Sequence, residues 1–307
     1  MSQTHELIIV GGGPAGLTAG IYACRARMDV LLIEKGLVGG QIVNAVLVEN
    51  YPGFPEGISG MDLGTAMRDQ AEKLGLEVVD AEIVGIENSK FHNIVRTSDG
   101  TSYQAKAVII SGGSEHRKLG VSGEWEFLGK GVSYCATCDG AFFSDQKVAV
   151  IGGGDAAITE ALFLTQLASR VTIVHRRDEL RGSKILQEMA FSNPKIDFAW
   201  NSVVEGIAGD TVVRELKLKD VKSGGESNLE VDGVFIYVGL RPNTDYLKGL
   251  VPLDDMGHII CNELMEIEVP GLFAAGDIRR NSARQAIAAA GDGATAAISA
   301  RKYLRGA

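Results

Sequence analysis

The chain of 307 residues has only seven prolines and four cysteines, and it contains no long apolar run. No charge-free apolar stretch reaches the ~18–20 residues that a membrane span requires. The N-terminal residues have neither the basic region nor the apolar core of a signal peptide. Four cysteines are also too few for the disulfide framework of a secreted protein. We therefore expect a soluble, cytoplasmic protein that does not bind membranes.

Basic side chains are in the minority. Thirty lysines and arginines stand against 39 aspartates and glutamates, which gives a formal net charge of −9. Binding to nucleic acid without sequence preference needs a basic surface, so this class of partner is not expected. Glycine, in contrast, is abundant at 39 residues, nearly double its usual share of ~7%. Glycines clustered between hydrophobic runs indicate loops that ligands approach closely.

The first glycine-rich loop follows a short apolar run that ends at Val10 and is typical of a buried parallel strand. The loop fits the pattern G-x-G-x-x-G. Gly11 makes the tight turn, Gly13 lets a pyrophosphate approach the backbone, and Gly16 lets the following helix pack closely on the strand. A second apolar run then ends in Glu34, which can accept hydrogen bonds from ribose hydroxyls. This order of elements predicts a site for an unphosphorylated dinucleotide, with its pyrophosphate at the helix N-terminus.

The same order of elements recurs in the middle of the chain, with a different ending. An apolar strand leads into residues 152–157, which form the G-x-G-x-x-A variant of the loop and open a helix. The next apolar strand ends not in an acid but in His175, Arg176 and Arg177, with Arg181 one turn further on. A carboxylate at this position would repel a 2′-phosphate, whereas guanidinium groups bind one through paired hydrogen bonds. The second nucleotide is therefore predicted to be NADP(H).

Two dinucleotide-binding folds exclude a simple dehydrogenase with one bound nucleotide, and they fit a flavoprotein that passes hydride from NADPH to FAD. Residues 271–277 indicate a strand that ends in an acid, and the pattern predicts an alanine-rich helix over about residues 283–303. This late carboxylate predicts that the first domain is discontinuous. We expect a three-layer α/β protein with two Rossmann-like domains. Residues 1–114 and 246–307 would bind FAD, and residues 115–245, inserted between them, would bind NADPH.

Two cysteines form a Cys-x-x-Cys motif, Cys135 and Cys138, just before the second nucleotide-binding fold. A zinc site needs four ligands, and Cys24 and Cys261 offer no second pair at a suitable spacing, so no metal is expected. A structural disulfide is unusual in a reducing cytoplasm. A redox-active dithiol is the stronger prediction, because the spacing permits a small disulfide ring and a helix N-terminus there would lower the pKa of one thiol. The adjacent Asp139 is either a proton donor to the leaving thiolate or a helix cap.

In combination these motifs resemble those of the low-molecular-weight, bacterial-type thioredoxin reductases, and the resemblance spans almost the whole chain. The matching segments are residues 11–16, 39–41, 49–53, 135–139, 152–157, 175–177 with Arg181, 276–277 and 284–286. The chain departs from the family at Asp155 and Ala156, where many members have a neutral residue followed by threonine.

The resemblance, together with the glycine loops, implies a homodimer with two nucleotide sites and one catalytic set. The FAD site consists of Gly11, Gly13, Pro14, Ala15, Gly16, Glu34, Lys35, Gly39, Gly40, Gln41, Asn50, Asp277, Arg284, Gln285 and Ala286. The NADPH site consists of Gly152, Gly154, Asp155, Ala156, Ala157, His175, Arg176, Arg177 and Arg181. The catalytic set is Cys135, Cys138 and Asp139.

The activity that the resemblance implies is the reduction of thioredoxin by NADPH through FAD and the Cys135–Cys138 pair. Spacing does not tell which cysteine faces the flavin; by analogy with the family it is Cys138, and Cys135 attacks the partner. One alternative is a flavin-dependent dithiol oxidase, or a reductase of another thioredoxin-like partner, on the same fold. Another is a non-catalytic NADPH-sensing flavoprotein. The arginines argue against an oxidase, which needs no NADPH, and the complete cysteine pair argues against a sensor.

Overall fold

A computed structural model of the chain describes residues 3–45, 47–89, 92–247 and 249–306. The chain forms two compact units. Unit 1 comprises Met1–Glu115 and Arg241–Ala307, and unit 2 comprises His116–Leu240. The extent of the two nucleotide-binding domains, divided after residues 114 and 245, stays a prediction.

Strands and short helices alternate along most of the described chain. The strands are β1 (Gln3–Val10), β2 (Val30–Glu34), β3 (Glu77–Asp80), β4 (Ile83–Asn88), β5 (Asn93–Thr97), β6 (Ser102–Ile110), β7 (Ser114–His116), β8 (Val132–Ser133), β9 (Lys147–Ile151), β10 (Arg170–Val174), β11 (Ile196–Ala199), β12 (Ser202–Gly209), β13 (Val213–Asp220), β14 (Glu226–Glu230), β15 (Gly233–Ile236), β16 (Leu240–Pro242) and β17 (Leu272–Ala274). The α-helices are α1 (Pro14–Arg25), α2 (Gly60–Lys73), α3 (Ala136–Asp139), α4 (Asp155–Leu164), α5 (Lys184–Ser192) and α6 (Ala286–Arg305). Turns of 3-10 helix cover Gly40–Asn44, Gly140–Phe143, Asp245–Leu247 and Gly276–Ile278.

Unit 1 is built on a sheet with the strand order β3-β2-β1-β6-β5-β4, in which β17 also pairs with β6. Strands β1, β2, β3, β6 and β17 run parallel, and β4 and β5 add an antiparallel hairpin. The face toward α1 and α6 buries Leu7, Leu17 and Ala296. The opposite face buries Ile8 together with Ile259 of the C-terminal segment. Burial on both faces explains why β1 is a continuous apolar run.

The C-terminal helix starts later than the sequence pattern predicts. The pattern predicts a helix over about residues 283–303, whereas α6 runs over Ala286–Arg305. Arg284 has a φ of 56°, and Gln285 is extended, with φ −125° and ψ 142°. Neither conformation belongs to a right-handed helix, so these two residues form a loop that leads into α6.

Unit 2 has three layers, which are two helices, a parallel sheet and an antiparallel sheet. Its parallel sheet has the order β11-β10-β9-β15-β8. One face buries Val150 against Ile158 of α4 and Ala190 of α5, and the other buries Ala149 against Leu216 of the antiparallel sheet β12-β13-β14. Strands β7 and β16 pair with each other. Within the described residues, no helix has both the length and the hydropathy of a membrane span.

Candidate functional site

The first glycine-rich loop closes tightly between β1 and α1. Gly11 has a φ of 102°, and a Cβ there would lie 2.5 Å from the carbonyl oxygen of Ser111. A Cβ on Gly16 would lie 1.8 Å from the carbonyl oxygen of Gly11. α1 begins at Pro14, and no side chain caps its N-terminus at Gly13. The first-turn N–H groups of such a helix can bind the pyrophosphate of a dinucleotide.

Glu34 lies at the edge of this loop, at the end of β2. Its Oε2 accepts a hydrogen bond of 2.6 Å from the N–H of Gly12, and its Oε1 accepts one of 2.9 Å from the N–H of Gly36. These bonds fix the carboxylate, and each oxygen retains a lone pair for a ribose hydroxyl. The neighbouring Lys35 is exposed, and its Nζ lies 3.7 Å from Oε1 of Glu82.

Gly39 and Gly40 pack directly against the first loop. The N–H of Gly39 donates a hydrogen bond of 2.8 Å to the carbonyl of Gly12. A Cβ on Gly40 would lie 2.9 Å from the Cα of Gly13. Gln41 follows in a 3-10 helix and is exposed. The structure thus brings the second predicted flavin segment to the loop, with the Gln41 side chain at the surface.

Two predicted flavin residues from distant parts of the sequence meet in unit 1, because Nδ2 of Asn50 donates a hydrogen bond of 3.2 Å to Oε1 of Gln285. Asp277 lies in the turn after β17, and its Oδ1 accepts a hydrogen bond of 2.6 Å from the hydroxyl of Ser282. Burial raises the pKa of the Asp277 carboxyl, although this hydrogen bond and the charge of Arg284 oppose the shift. Asp277 is therefore a half-buried polar group with capacity for a ligand hydroxyl.

A partly buried ion pair fixes the turn that carries Asp277. Asp292 of α6 accepts hydrogen bonds of 2.5 and 2.9 Å from the guanidinium of Arg279, and one of 3.1 Å from the N–H of Gly276. A Cβ on Gly276 would lie 3.0 Å from the Cβ of Ala15, so this turn lies against the start of α1. The pair was not predicted from the sequence, although a single acid on the buried alanine-rich face of α6 marks it.

The second glycine-rich loop also excludes a side chain at its first position. A Cβ on Gly152 would lie 2.6 Å from the carbonyl oxygen of Tyr237 and 2.7 Å from the Cβ of Ala157. α4 follows Gly154, and no side chain caps this helix start either. Ala156, in the first turn, is exposed. A helix start of this form suits the pyrophosphate of a second dinucleotide.

His175 packs against this loop, and the charges of three arginines act on His175. A Cβ on Gly153 would lie 2.4 Å from Nδ1 of His175, whose side chain is buried. Burial lowers the pKa of His175, and the charges of Arg181, Arg177 and Arg176 lower it further. All three arginines are exposed, and none pairs with a carboxylate within the described ranges. Their charges are therefore available to a phosphate.

Asp155, in the first turn of α4, binds the segment that carries Arg181. Its Oδ1 accepts a hydrogen bond of 2.6 Å from the N–H of Ser183. The N–H groups of Arg181 and Gly182 donate hydrogen bonds of 2.7 and 3.2 Å to the carbonyl of Gly153. Three hydrogen bonds thus fasten the segment that carries Arg181 to the second glycine-rich loop.

Cys135 and Cys138 form a disulfide across the single turn of α3, and both residues are half-buried. The Oδ2 of Asp139 accepts a hydrogen bond of 2.6 Å from the hydroxyl of Ser133. Burial raises the pKa of the Asp139 carboxyl, and this hydrogen bond partly opposes the shift. The Asp139 side chain caps neither α3 nor the 3-10 helix after it, so the helix-cap alternative does not describe its contacts.

The other two cysteines lie apart from this disulfide. Cys24 is buried and Cys261 is half-buried, and burial raises the pKa of both thiols. A raised pKa leaves little reactive thiolate at neutral pH. Within the part of the chain that the structure describes, no three His, Cys, Asp or Glu side chains are grouped to hold a metal ion.

Comparison with known proteins decides the family. Residues 5–293 match the family described as pyridine nucleotide-disulphide oxidoreductase. The thioredoxin reductase of Listeria monocytogenes is 50% identical over 303 residues, which cover 98% of this chain and 94% of that protein. The thioredoxin reductase of Bacillus subtilis is 46% identical over 98% of this chain and 95% of its own. The chain belongs to the pyridine nucleotide-disulphide oxidoreductase family, and within it to the thioredoxin reductases.

A solved structure supports the same conclusion. The crystal structure of thioredoxin reductase from Streptococcus pyogenes matches with a TM-score of 0.94 and 45% identity, over 100% of both chains. These comparisons confirm the resemblance, the fold class and the flavoprotein oxidoreductase activity predicted from the sequence. The enzymes of this family use FAD and NADPH.

The residues of the two loops fit both FAD and NADPH. A Cβ on Gly154 would meet nothing within 4 Å, and one on Gly13 would meet only the Cα of Gly40 at 3.9 Å, so both loops leave space beside the main chain for a ligand. The exposed arginines supply the charge that a 2′-phosphate needs. Which side chains touch which group stays a prediction.

Proposed function

We propose that this enzyme reduces the disulfide of a thioredoxin with electrons from NADPH, through its Cys135–Cys138 pair. The observation that carries the proposal is the half-buried disulfide, which lies in the same compact unit as the second glycine-rich loop, the one predicted to bind NADPH. FAD, when bound, supplies the two-electron chemistry that connects a hydride donor with a disulfide.

Residues of unit 1 would hold the FAD. The loop from Gly11 to Gly16 and the start of α1 would bind its pyrophosphate, and Glu34 would bind a ribose. Asp277 would accept from a hydroxyl of the ribityl chain, and the Asn50–Gln285 pair would border the ring. The hydrogen bonds already made by Glu34 and by Asp277 support these roles, because they hold each carboxylate in place before the ligand arrives.

Residues of unit 2 would hold NADPH. Its pyrophosphate would bind at the start of α4, and Arg176, Arg177 and Arg181 would bind the 2′-phosphate. The buried His175 stays neutral and keeps the loop in place. Asp155 contributes by fastening the Arg181 segment, since its carboxylate accepts from the N–H of Ser183.

The thiol chemistry belongs to three neighbouring side chains. Reduction of the Cys135–Cys138 bond adds two electrons and yields a thiol and a thiolate. Asp139, whose pKa is raised by burial, would supply the single proton of this step to the Cys138 sulfur, so that Cys135 stays the thiolate. The Cys135 thiolate then attacks one sulfur of the thioredoxin disulfide and forms a mixed disulfide, while the other thioredoxin sulfur leaves as a thiolate. Attack of Cys138 on Cys135 re-forms the disulfide and releases reduced thioredoxin.

We further propose that the enzyme is a cytoplasmic homodimer. The resemblance to bacterial-type thioredoxin reductases supports the homodimer. The requirement for NADPH, and for a reducing compartment in which the Cys135–Cys138 pair is recycled, supports the location.

Anaerobic titration with NADPH followed by alkylation of thiols tests the proposal. One equivalent of NADPH should produce two alkylated cysteines per chain, located by mass spectrometry at Cys135 and Cys138. Cys24 and Cys261 serve as internal controls that stay unlabelled under native conditions. A dithiol oxidase would leave NADPH unconsumed, and a sensor would bind NADPH without forming thiols; either result overturns the proposal.

A further inference from the structure

A tyrosine outside every nucleotide and cysteine motif contacts the redox-active turn. The hydroxyl oxygen of Tyr237, just after β15, accepts a hydrogen bond of 2.6 Å from the N–H of Ala136. Ala136 is the first residue of α3, between the two cysteines, and is only 1% exposed. Water therefore does not replace this hydrogen bond.

A second hydroxyl binds the preceding N–H group. The Oγ of Ser133 accepts a hydrogen bond of 3.0 Å from the N–H of Cys135. Ser133 lies on β8, the partner strand of β15, opposite Phe235. Two paired strands thus direct hydroxyls to two successive N–H groups at the start of α3.

The main chain of Tyr237 is held as firmly as its hydroxyl. Its N–H donates a hydrogen bond of 2.8 Å to the carbonyl of Ile151, and its carbonyl oxygen packs against Gly152. Burial raises the pKa of Tyr237, as do the charges of Glu160 and Asp139. The hydroxyl therefore stays neutral, and its oxygen stays an acceptor for the Ala136 N–H.

This hydrogen bond bears on the redox equilibrium because it holds the backbone of the turn that carries the disulfide. In α3 the N–H groups of Cys138 and Asp139 already donate to the carbonyl of Cys135. The N–H of Ala136 is occupied by Tyr237 in the disulfide form. An N–H held in this way stabilises the backbone conformation in which the disulfide is closed.

We propose that Tyr237 is a positioning residue of the redox-active pair, whose hydroxyl holds the Ala136 N–H and thereby favours the disulfide over the dithiol. This inference rests on the proposed function, in which the pair cycles between the two states. Glu160 of α4, whose buried Oε2 has no hydrogen-bond partner within the described residues, is one of the two carboxylates whose charge raises the pKa of Tyr237.

The Tyr237→Phe variant tests the inference in the holoenzyme. Wild type and variant are equilibrated with mixtures of reduced and oxidised dithiothreitol, quenched by alkylation, and the Cys135–Cys138 peptide is quantified by mass spectrometry. One hydrogen bond predicts a shift of about 3- to 10-fold toward the dithiol, or ~15–30 mV.

Tyr134→Phe is the matched control. It removes another tyrosine hydroxyl of unit 2, which donates a hydrogen bond of 2.6 Å to Oε1 of Glu124 and makes no bond to α3. Its dithiol equilibrium should match that of wild type. A shift of equal size in Tyr134→Phe, no shift in Tyr237→Phe, or a shift toward the disulfide would overturn the inference.

Hydrogen exchange supplies a measurement without substitution. In the oxidised enzyme the Ala136 amide should exchange slowly, and fast exchange there would contradict the contact. Failure of NADPH to reduce the pair in the unaltered enzyme would instead overturn the proposed function. The two failures are therefore distinguishable.

Discussion

The carboxylate of Asp155 binds the backbone N–H of Ser183 at 2.6 Å, across a gap of 28 residues in sequence. An acid at the first turn of α4 would repel a pyrophosphate if its charge faced the ligand. The hydrogen bond instead uses this charge to hold the segment that starts at Arg181 against the glycine-rich loop. The same residue thus links the proposed pyrophosphate site to the arginine segment proposed to bind the 2′-phosphate.

Removal of this link should weaken NADPH binding. We expect Asp155→Ala to raise the Kd for NADPH about 3- to 10-fold, which is the value of one hydrogen bond, and to affect NADH less. Asp155→Asn retains an oxygen acceptor and should behave like wild type. Asp178→Ala, which removes an exposed carboxylate paired with Lys222, is the control in calorimetric titrations. Tighter NADPH binding by Asp155→Ala would show that repulsion dominates.

The arginines should determine the choice of coenzyme. Arg176→Ala and Arg181→Ala should each raise the KM for NADPH by roughly ten- to a hundredfold, because a charge-assisted contact with phosphate contributes ~1.5–3 kcal/mol. The KM for NADH should change little. Arg170→Ala, which removes an exposed guanidinium paired with Asp197 at the other end of β10, should leave both constants unchanged. Equal effects on the two coenzymes would exclude a contact with the 2′-phosphate.

The close approach at Gly16 should make this position intolerant of a methyl group. We expect Gly16→Ala to purify without FAD, because its Cβ would lie 1.8 Å from the carbonyl of Gly11. Gly291→Ala is the control, since a Cβ there meets nothing within 4 Å on α6, and alanine should stabilise the helix by ~0.5–1 kcal/mol. The visible flavin spectrum and the thermal midpoint give the readouts. A Gly16→Ala protein with full flavin content would contradict the assignment.

The carboxyl of Asp139 should make stability depend on pH. Burial raises its pKa in the folded chain, so the folded state holds this proton more tightly than the unfolded state. The pKa of Asp139 is ~4 in the unfolded chain and higher in the folded chain. As the pH rises through this interval, ionisation of the carboxyl therefore lowers the free energy of unfolding. Asp139→Asn should melt higher than wild type at neutral pH, with a difference that disappears at low pH.

Asp178→Asn should change thermal stability at neutral pH in the opposite direction to Asp139→Asn. The hydrogen bond to Lys222 lowers the pKa of Asp178, so its stabilising effect is present at neutral pH and is lost in acid. This variant should melt lower than wild type at neutral pH and converge with it at low pH. Identical pH profiles for the two variants would show that burial of Asp139 does not govern its ionisation.

Local patterns made much of the candidate site predictable. The two glycine loops, the arginine set and the cysteine pair each lie within a few consecutive residues, and each has a fixed relation to the strand before it. The hydrogen bond between Asn50 and Gln285 joins residues 235 positions apart, and only the assembled sheet brings them together. The Asp292–Arg279 pair and the Tyr237 hydroxyl were missed for the same reason. The positive φ of Arg284 has no sequence signal, which is why α6 was predicted to start too early.

Stoichiometric reduction of thioredoxin tests the central claim most directly. The purified holoenzyme is mixed anaerobically with NADPH and an oxidised bacterial thioredoxin, and the loss of NADPH is followed together with new thioredoxin thiols. We expect two thioredoxin thiols for each NADPH consumed. We also expect that Cys135→Ser forms none, although NADPH still bleaches the flavin colour of that variant. Thioredoxin reduction by Cys135→Ser at the wild-type rate would contradict the account.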